Sequence, residues 1–215
     1  IVALDESNMD SCKNVLDQLN NNLCLVKIGS VAFTSLGHQI INEVSDRGFE
    51  IFLDLKFNDI PNTVFKSILG IRNLPIKMLT VHISGGKEML DISMEAVKGT
   101  DIRIFGVSVL TSLNNKDTNT IFKRDADKQV LSMLDLAEEA KIDGIVCSPH
   151  ELEIVAGRKK FQTITPGIRP YELDDDQSRV MTPKEAIRLG ADFIVIGRPI
   201  TKSNDIPKAL EQVYQ

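Results

Sequence analysis

The sequence predicts an α/β chain of the (β/α)8 TIM-barrel type, and three observations carry that prediction. Short, nearly all-apolar runs recur along the chain, which is how parallel strands buried on both faces read. Amphipathic segments with helical spacing lie between them, giving a repeating unit of roughly 25 residues, as a βα repeat requires. Nearly every apolar run also finishes on a polar or charged residue, and barrel enzymes build their sites at the C-terminal ends of strands. An open doubly wound sheet shares the alternation, but the first βα turn lacks a G-x-G-x-x-G fingerprint and eight regular units favour closure.

Strands are expected over residues 1–5, 23–28, 50–56, 78–84, 103–110, 144–148, 162–166 and 192–197. Between the second and third, Phe33, Leu36, Ile40 and Val44 step by helical intervals, predicting one helix over 31–46 with Gly48 as its C-terminal cap. Val130, Leu134 and Ala137 predict another over 128–141, closed by Gly144. Ser148-Pro149-His150-Glu151 and Thr182-Pro183-Lys184-Glu185 both read as a capping residue, a proline at the first helical position and a glutamate completing a capping box. The polar stretch 114–127 reads as a loop without assigned chemistry, and the loop from Gly167 to Met181 is longer than a usual βα connection.

At 215 residues and 42% apolar content the chain can support a sizeable core, and no linker or low-complexity stretch divides it, so residues 1–215 are expected to form a single domain. A net charge of −5 and a pI near 5.3 offer no basic field for nucleic acid or an anionic membrane. No apolar run approaches the ~18 residues of a membrane span. Cys12, Cys24 and Cys147 are odd in number and widely separated, a pattern of a reducing compartment rather than of disulfides or a zinc cluster. A cytoplasmic protein is expected. The chain opens inside a strand without Met, so a few preceding residues are expected to be missing.

The segment Asp54-Leu55-Lys56-Phe57-Asn58-Asp59-Ile60-Pro61 carries the strongest functional signal. In an extended strand Asp54 and Lys56 share a face, and Asp59 follows where the strand yields to Pro61. Charges gathered at the end of a buried strand are costly unless paired, and they often mark chemistry. The plainer reading is a surface ion pair on an edge strand. Other strand ends supply Asp5, Lys27, His82 with Ser84, Thr111 with Ser112, Ser148, Thr165 with Arg169, and Gly197 with Arg198. Thr111 and Ser112 could start a turn, Ser148 could cap a helix, and a lone His82 could be a hydrogen-bonded core residue. Gly197-Arg198 after the last strand suits an anion held by backbone N–H groups and a guanidinium. The long seventh loop, with Arg169, Asp174, Asp175, Asp176, Gln177 and Arg179, has the polar mixture of a lid, the three aspartates reading as a solvated acidic run. Two carboxylates near a phosphate could hold Mg²⁺, but Lys27 and Lys56 bracket Asp54 and compete with a cation there.

Taken together, Ile1–Asp5, Val26-Lys27-Ile28-Gly29, the segment from Asp54 to Thr63, Val81-His82 with Gly85-Gly86, Val109-Leu110-Thr111-Ser112, Thr165-Pro166-Gly167-Ile168-Arg169-Pro170, Asp176-Gln177-Ser178-Arg179 and Val195-Ile196-Gly197-Arg198-Pro199-Ile200-Thr201 resemble the orotidine 5′-phosphate decarboxylase family in its bacterial form. The resemblance spans essentially the whole chain in order. Asn58 departs from it, since bacterial relatives more often carry His there.

The resemblance implies a carboxy-lyase converting orotidine 5′-phosphate to UMP and CO2 without metal or cofactor. Lys56 would protonate C6 as general acid. Asp54 would lie beside the leaving carboxylate, and Lys27 and Asp5 would meet the ribose. Asp59, with Ile60 and Thr63, would reach into the partner's site across a homodimer. Thr111 and Ser112 would bind the pyrimidine, and Gln177, Arg198 and the Gly197 N–H the phosphate, with Arg169 in the same closing region. The nearest competitor is a Mg²⁺-dependent sugar-phosphate decarboxylase or aldol-type synthase with a similar D-x-K-x-x-D array. A catalytically silent phosphate-binding barrel is the second, although it should lack part of the charged quartet Lys27, Asp54, Lys56 and Asp59.

Overall fold

The computed structural model describes residues 1–158, 160–169 and 181–214. Eight strands follow one another: β1 (Val2–Leu4), β2 (Val26–Gly29), β3 (Ile51–Phe57), β4 (Met78–His82), β5 (Arg103–Val107), β6 (Gly144–Val146), β7 (Gln162–Thr165) and β8 (Phe193–Ile194). All neighbours pair in parallel in sequence order. The Ala3 N–H donates to the Ile196 carbonyl at 2.9 Å, and the Ile196 N–H to Ile1 at 3.0 Å, so the edge strands meet and the sheet closes into a barrel. The helices are α1 (Met9–Leu16), α2 (Ser30–Leu36), α3 (His38–Ser45), α4 (Pro61–Ile71), α5 (Lys87–Ala96), α6 (Asn115–Phe122), α7 (Ala126–Ala140), α8 (Leu152–Ala156), α9 (Pro183–Arg188), α10 (Arg198–Thr201) and α11 (Ile206–Gln212).

Alternation along the strands builds two cores. One set of residues, including Leu4, Ile28, Leu53, Leu79 and Ile104, faces the helices and joins Ile40, Ile41, Leu90, Val130 and Leu134. The other set, Ala3, Phe52, Met78, Phe105, Ile164 and Val195, fills the barrel interior. Phe52 and Phe105 are tilted against one another with ring centroids 6.4 Å apart. Below them the Arg103 guanidinium lies 5.8 Å from the Phe105 ring centroid and 5.6 Å from that of Phe193. The interior is therefore a packed plug, and whatever sits on it has a dry, low-dielectric floor.

Several local expectations change. The helix expected over 31–46 is two helices, because Gly37 adopts φ +60° between α2 and α3, a conformation that interrupts the helical ladder. Lys141, in the left-handed region, closes α7, not Gly144, which instead opens β6. The polar stretch from residue 114 is largely helical: Asn114 and Asp117 form a complete capping box at the start of α6. The box at Thr182 is complete, with Pro183 in the first turn of α9. The one at Ser148 is half made. Glu151 accepts from the Ser148 N–H at 3.1 Å, but α8 starts beyond it at Leu152 and the Ser148 side chain caps nothing there. Most strands end one to three residues before their expected C-terminal limits, since the polar residues at those ends leave the ladder to line the mouth of the barrel.

Candidate active site

Four charged side chains meet at the C-terminal mouth. The Lys56 ammonium donates to Asp54 Oδ2 at 2.7 Å. Lys27 Nζ lies 3.6 Å from the same oxygen and 3.2 Å from Asp5 Oδ1. The order Asp5, Lys27, Asp54, Lys56 alternates in sign, so each charge beyond the first sits beside an opposite one. Asp54 is only 7% exposed, and a buried carboxylate at that depth needs such partners. It stands two residues beyond Phe52 on the same face of β3, directly above the apolar plug.

The way Lys56 arrives is not that of a regular strand. Between Leu53 and Phe57, four steps on β3 face two on β4, from Leu79 to Val81, so β3 bulges. Lys56 lies in the bulge with φ +51°, a left-handed conformation that costs a non-glycine residue about 1–2 kcal/mol. The bulge takes the Lys56 N–H out of the ladder, and the Thr80 hydroxyl accepts it at 2.9 Å. The same hydroxyl donates to Asp54 Oδ1 at 2.9 Å. The expectation that Asp54 and Lys56 meet is met, but through a strained bulge and not through simple alternation.

His82 follows Thr80 by two residues on β4. Its pKa is lowered from the ordinary 6.5, first by burial and then by the nearby Lys56 ammonium, with Asp54 opposing. Its charged form is therefore disfavoured beside the array.

Other sequence-predicted residues lie around the mouth without joining this cluster. Asp59 is exposed and its Oδ1 accepts from the Ile60 N–H at 2.6 Å. Ile60 is 66% exposed and Thr63 is exposed on the first turn of α4. Thr111 and Ser112 line a cavity of about 630 Å3 with Ser148, Glu151, Pro166 and Gly167. That volume suits a small organic ligand, and the charged array lies outside its lining. Gly197 precedes α10, and Arg198 opens it. Arg169 is buried, and its N–H donates to the Met181 carbonyl at 3.0 Å, pinning the two ends of the seventh loop together. Gln177, with Asp174, Asp175, Asp176 and Arg179, lies outside the described residues. A second cavity, about 720 Å3, lies at the opposite end of the barrel against Ile1, Leu25 and Phe193 and is mainly apolar. Its lining includes none of Asp5, Lys27, Asp54 and Lys56.

Two groups escaped the sequence reading. Thr80 was hidden inside an apolar run, although its place two residues after Met78 puts it on the inward face. Glu151 was read as a cap. It is buried, accepts from Ser108 Oγ at 3.3 Å as well as from Ser148, and burial raises its pKa. The three cysteines are free and buried, and burial pushes Cys147 up to about 12, so none is a poised nucleophile. Among the described residues no group of three or more His, Cys, Asp or Glu is arranged to hold a metal ion.

Residues 1–213 match the model of the orotidine 5′-phosphate decarboxylase / HUMPS family. The chain belongs to that family. An orotidine 5′-phosphate decarboxylase of Saccharophagus degradans is 41% identical, over 99% of this chain and 92% of its own length. One from Legionella pneumophila (strain Lens) is 45% identical over 95% of this chain and 93% of its own. The crystal structure of the Lactobacillus acidophilus orotidine 5′-phosphate decarboxylase superposes with a TM-score of 0.86 at 33% identity, covering 99% of this chain and 96% of that one. Membership of the family agrees with the closed barrel and with the charged array at its mouth.

Proposed function

We propose that this protein decarboxylates orotidine 5′-phosphate to UMP and CO2, the closing step of pyrimidine nucleotide synthesis, as one catalytic domain and without metal or cofactor. The observation that carries the reading is the alternating array Asp5–Lys27–Asp54–Lys56, with Lys56 Nζ 2.7 Å from Asp54. Loss of CO2 from an sp2 ring carbon leaves an anion in the ring plane with no π system to accept it. The barrier reduction required stands near the top of the ~8–23 kcal/mol that enzymes typically supply. A fixed ammonium above a dry floor stabilises such an anion as it forms, and the same ammonium then delivers its proton to C6. Lys56 takes that role of general acid. Asp54 lies beside the leaving carboxylate, repelling substrate but not product, and Lys27 and Asp5 contact the ribose.

Thr111 and Ser112 meet the pyrimidine. Arg198, the Gly197 N–H and Gln177 hold the phosphate, with Arg169 anchoring the loop that closes over it. Phosphate binding remote from C6 then supplies the energy for closure. Asp59, Ile60 and Thr63 complete the neighbouring site in a homodimer. The support for this is their exposure beside the array, including a two-thirds exposed isoleucine. The setting is cytoplasmic, in keeping with three free cysteines.

The competing reading is a magnesium-dependent sugar-phosphate decarboxylase or aldol-type synthase with a similar D-x-K-x-x-D array. Lys27 argues against a magnesium-dependent reaction, because its ammonium occupies the approach to Asp54 that a cation would use. The test is the ultraviolet change on mixing protein with orotidine 5′-phosphate, with and without EDTA. EDTA-insensitive turnover is expected. Folded, dimeric protein without turnover would reject the assignment, and activity abolished by EDTA and restored by Mg²⁺ would favour the synthase-like alternative.

A further inference from the structure

We propose that Thr80 is the positioning residue of the charged array, holding both the Asp54 carboxylate and the strained backbone of Lys56 through one hydroxyl. The inference rests on the decarboxylase reading above. Thr80 is fully buried on the inward face of β4. Its Oγ1 accepts the Lys56 N–H at 2.9 Å and donates to Asp54 Oδ1 at 2.9 Å. A hydroxyl offers one donor and two acceptor sites, so a single atom satisfies both groups.

Each of these bonds constrains a different part of the site. The bulge in β3 leaves the Lys56 N–H without a ladder partner, and a buried N–H in that state is costly. Accepting it lets residue 56 hold φ +51°. The carboxylate of Asp54 has two oxygens to orient. With Oδ1 tied to Thr80, Oδ2 is left facing Lys56 at 2.7 Å and Lys27 at 3.6 Å. Without the hydroxyl, Asp54 is free to rotate and the bulge to relax, and both reacting groups shift together. Misplacement by about 1 Å is enough to cost on the order of 10²-fold in turnover.

A packing role and a positioning role give opposite orders for two variants. Thr80→Val keeps the shape and removes the hydroxyl. Thr80→Ser keeps the hydroxyl and leaves a methyl-sized gap. Decarboxylation and calorimetric UMP binding are measured for both beside the unaltered protein. The positioning role predicts kcat on the order of 10²-fold lower in Thr80→Val, with KM and UMP affinity little changed, and kcat near the original in Thr80→Ser even where its melting temperature is lower. If Thr80→Val does not fold, Thr80→Ala serves as the hydroxyl-free variant under the same criterion. Full turnover without the hydroxyl, or turnover that follows thermal stability across the variants, overturns the proposal. An unaltered protein that binds UMP yet does not decarboxylate overturns the reading beneath it, and the proposal with it.

Discussion

Replacing Lys56 by glycine and by alanine separates the chemistry of its ammonium from the strain of its backbone. Residue 56 sits at φ +51°, which costs an L-residue about 1–2 kcal/mol. Glycine removes that cost but loses about 0.5–1 kcal/mol through its freedom in the unfolded chain. Both variants lose the ion pair to Asp54. The Lys56 side chain is 36% exposed and Asp54 keeps Lys27 and Thr80, so that loss is about 1 kcal/mol or less.

The sums leave Lys56→Gly near the original stability and Lys56→Ala about 0.5–1 kcal/mol below the glycine variant. For a chain of this size the gap corresponds to a melting temperature difference of roughly 1–4 °C. Turnover behaves differently. On the proposed mechanism both variants lack the proton donor and the charge opposite the forming anion, so kcat is expected to fall on the order of 10³-fold or more in each. Thermal unfolding and the ultraviolet assay, run on the same preparations, check both halves. An alanine variant as stable as the glycine variant would refute stored strain at residue 56. Turnover within tenfold of the original in either would remove Lys56 from the acid role.

Three further outcomes are expected. If Asp59 completes the neighbouring site as proposed, mixed and refolded Asp59→Ala and Lys56→Gly subunits form hybrids in which one of two sites is intact, so about one quarter of the original activity returns from two inactive parents; no recovery despite demonstrated hybrid dimers would place Asp59 in its own subunit's site, and an active Asp59→Ala parent would place it outside catalysis. Arg198→Ala raises KM for the nucleotide about 10- to 100-fold through loss of charge-assisted hydrogen bonds, and an unchanged KM would remove Arg198 from phosphate binding. Burial raises the Glu151 pKa above the ordinary 4.5, so its stabilising contribution is full below that value and fades as pH climbs through the raised one. Relative to Glu151→Gln, the original protein should therefore lose melting temperature as pH rises from about 4.5, and parallel curves for the two would contradict the shift.

The barrel was legible because its strands are buried on both faces, which leaves short apolar runs such as Met78-Leu79-Thr80-Val81 against longer amphipathic segments. The helix break at Gly37 was not, because one glycine inside a helical pattern is compatible with continuation and only the packing of α2 and α3 decides. Of the site, the residue types at the strand ends were plain, and Lys27, Asp54 and Lys56 do converge. The bulge was invisible. Nothing in Asp54-Leu55-Lys56-Phe57 distinguishes a regular strand from one carrying extra residues, since the register against β4 is a property of two segments and not of one. Thr80 was lost for the same reason, as its purpose exists only opposite that bulge.

The bulge also explains how so many charges are tolerated above an apolar plug. A regular β3 would point Lys56 inward along the barrel axis, over Phe52 and Asp54, where a second ammonium would be desolvated beside Lys27. Widening the strand instead leaves Lys56 about one-third exposed while its Nζ still reaches Asp54 at 2.7 Å. One ammonium is thereby held deep, with a side chain 12% exposed at Lys27, and one held at the rim. The deep charge balances Asp54 whether or not a substrate is present. In the proposed reaction the rim charge leaves its carboxylate partner for the reacting carbon without stranding that carboxylate, because Lys27 and Thr80 still hold it. Local strain at residue 56 thus sets a partly exposed ammonium at the rim, next to a carboxylate that keeps two other partners.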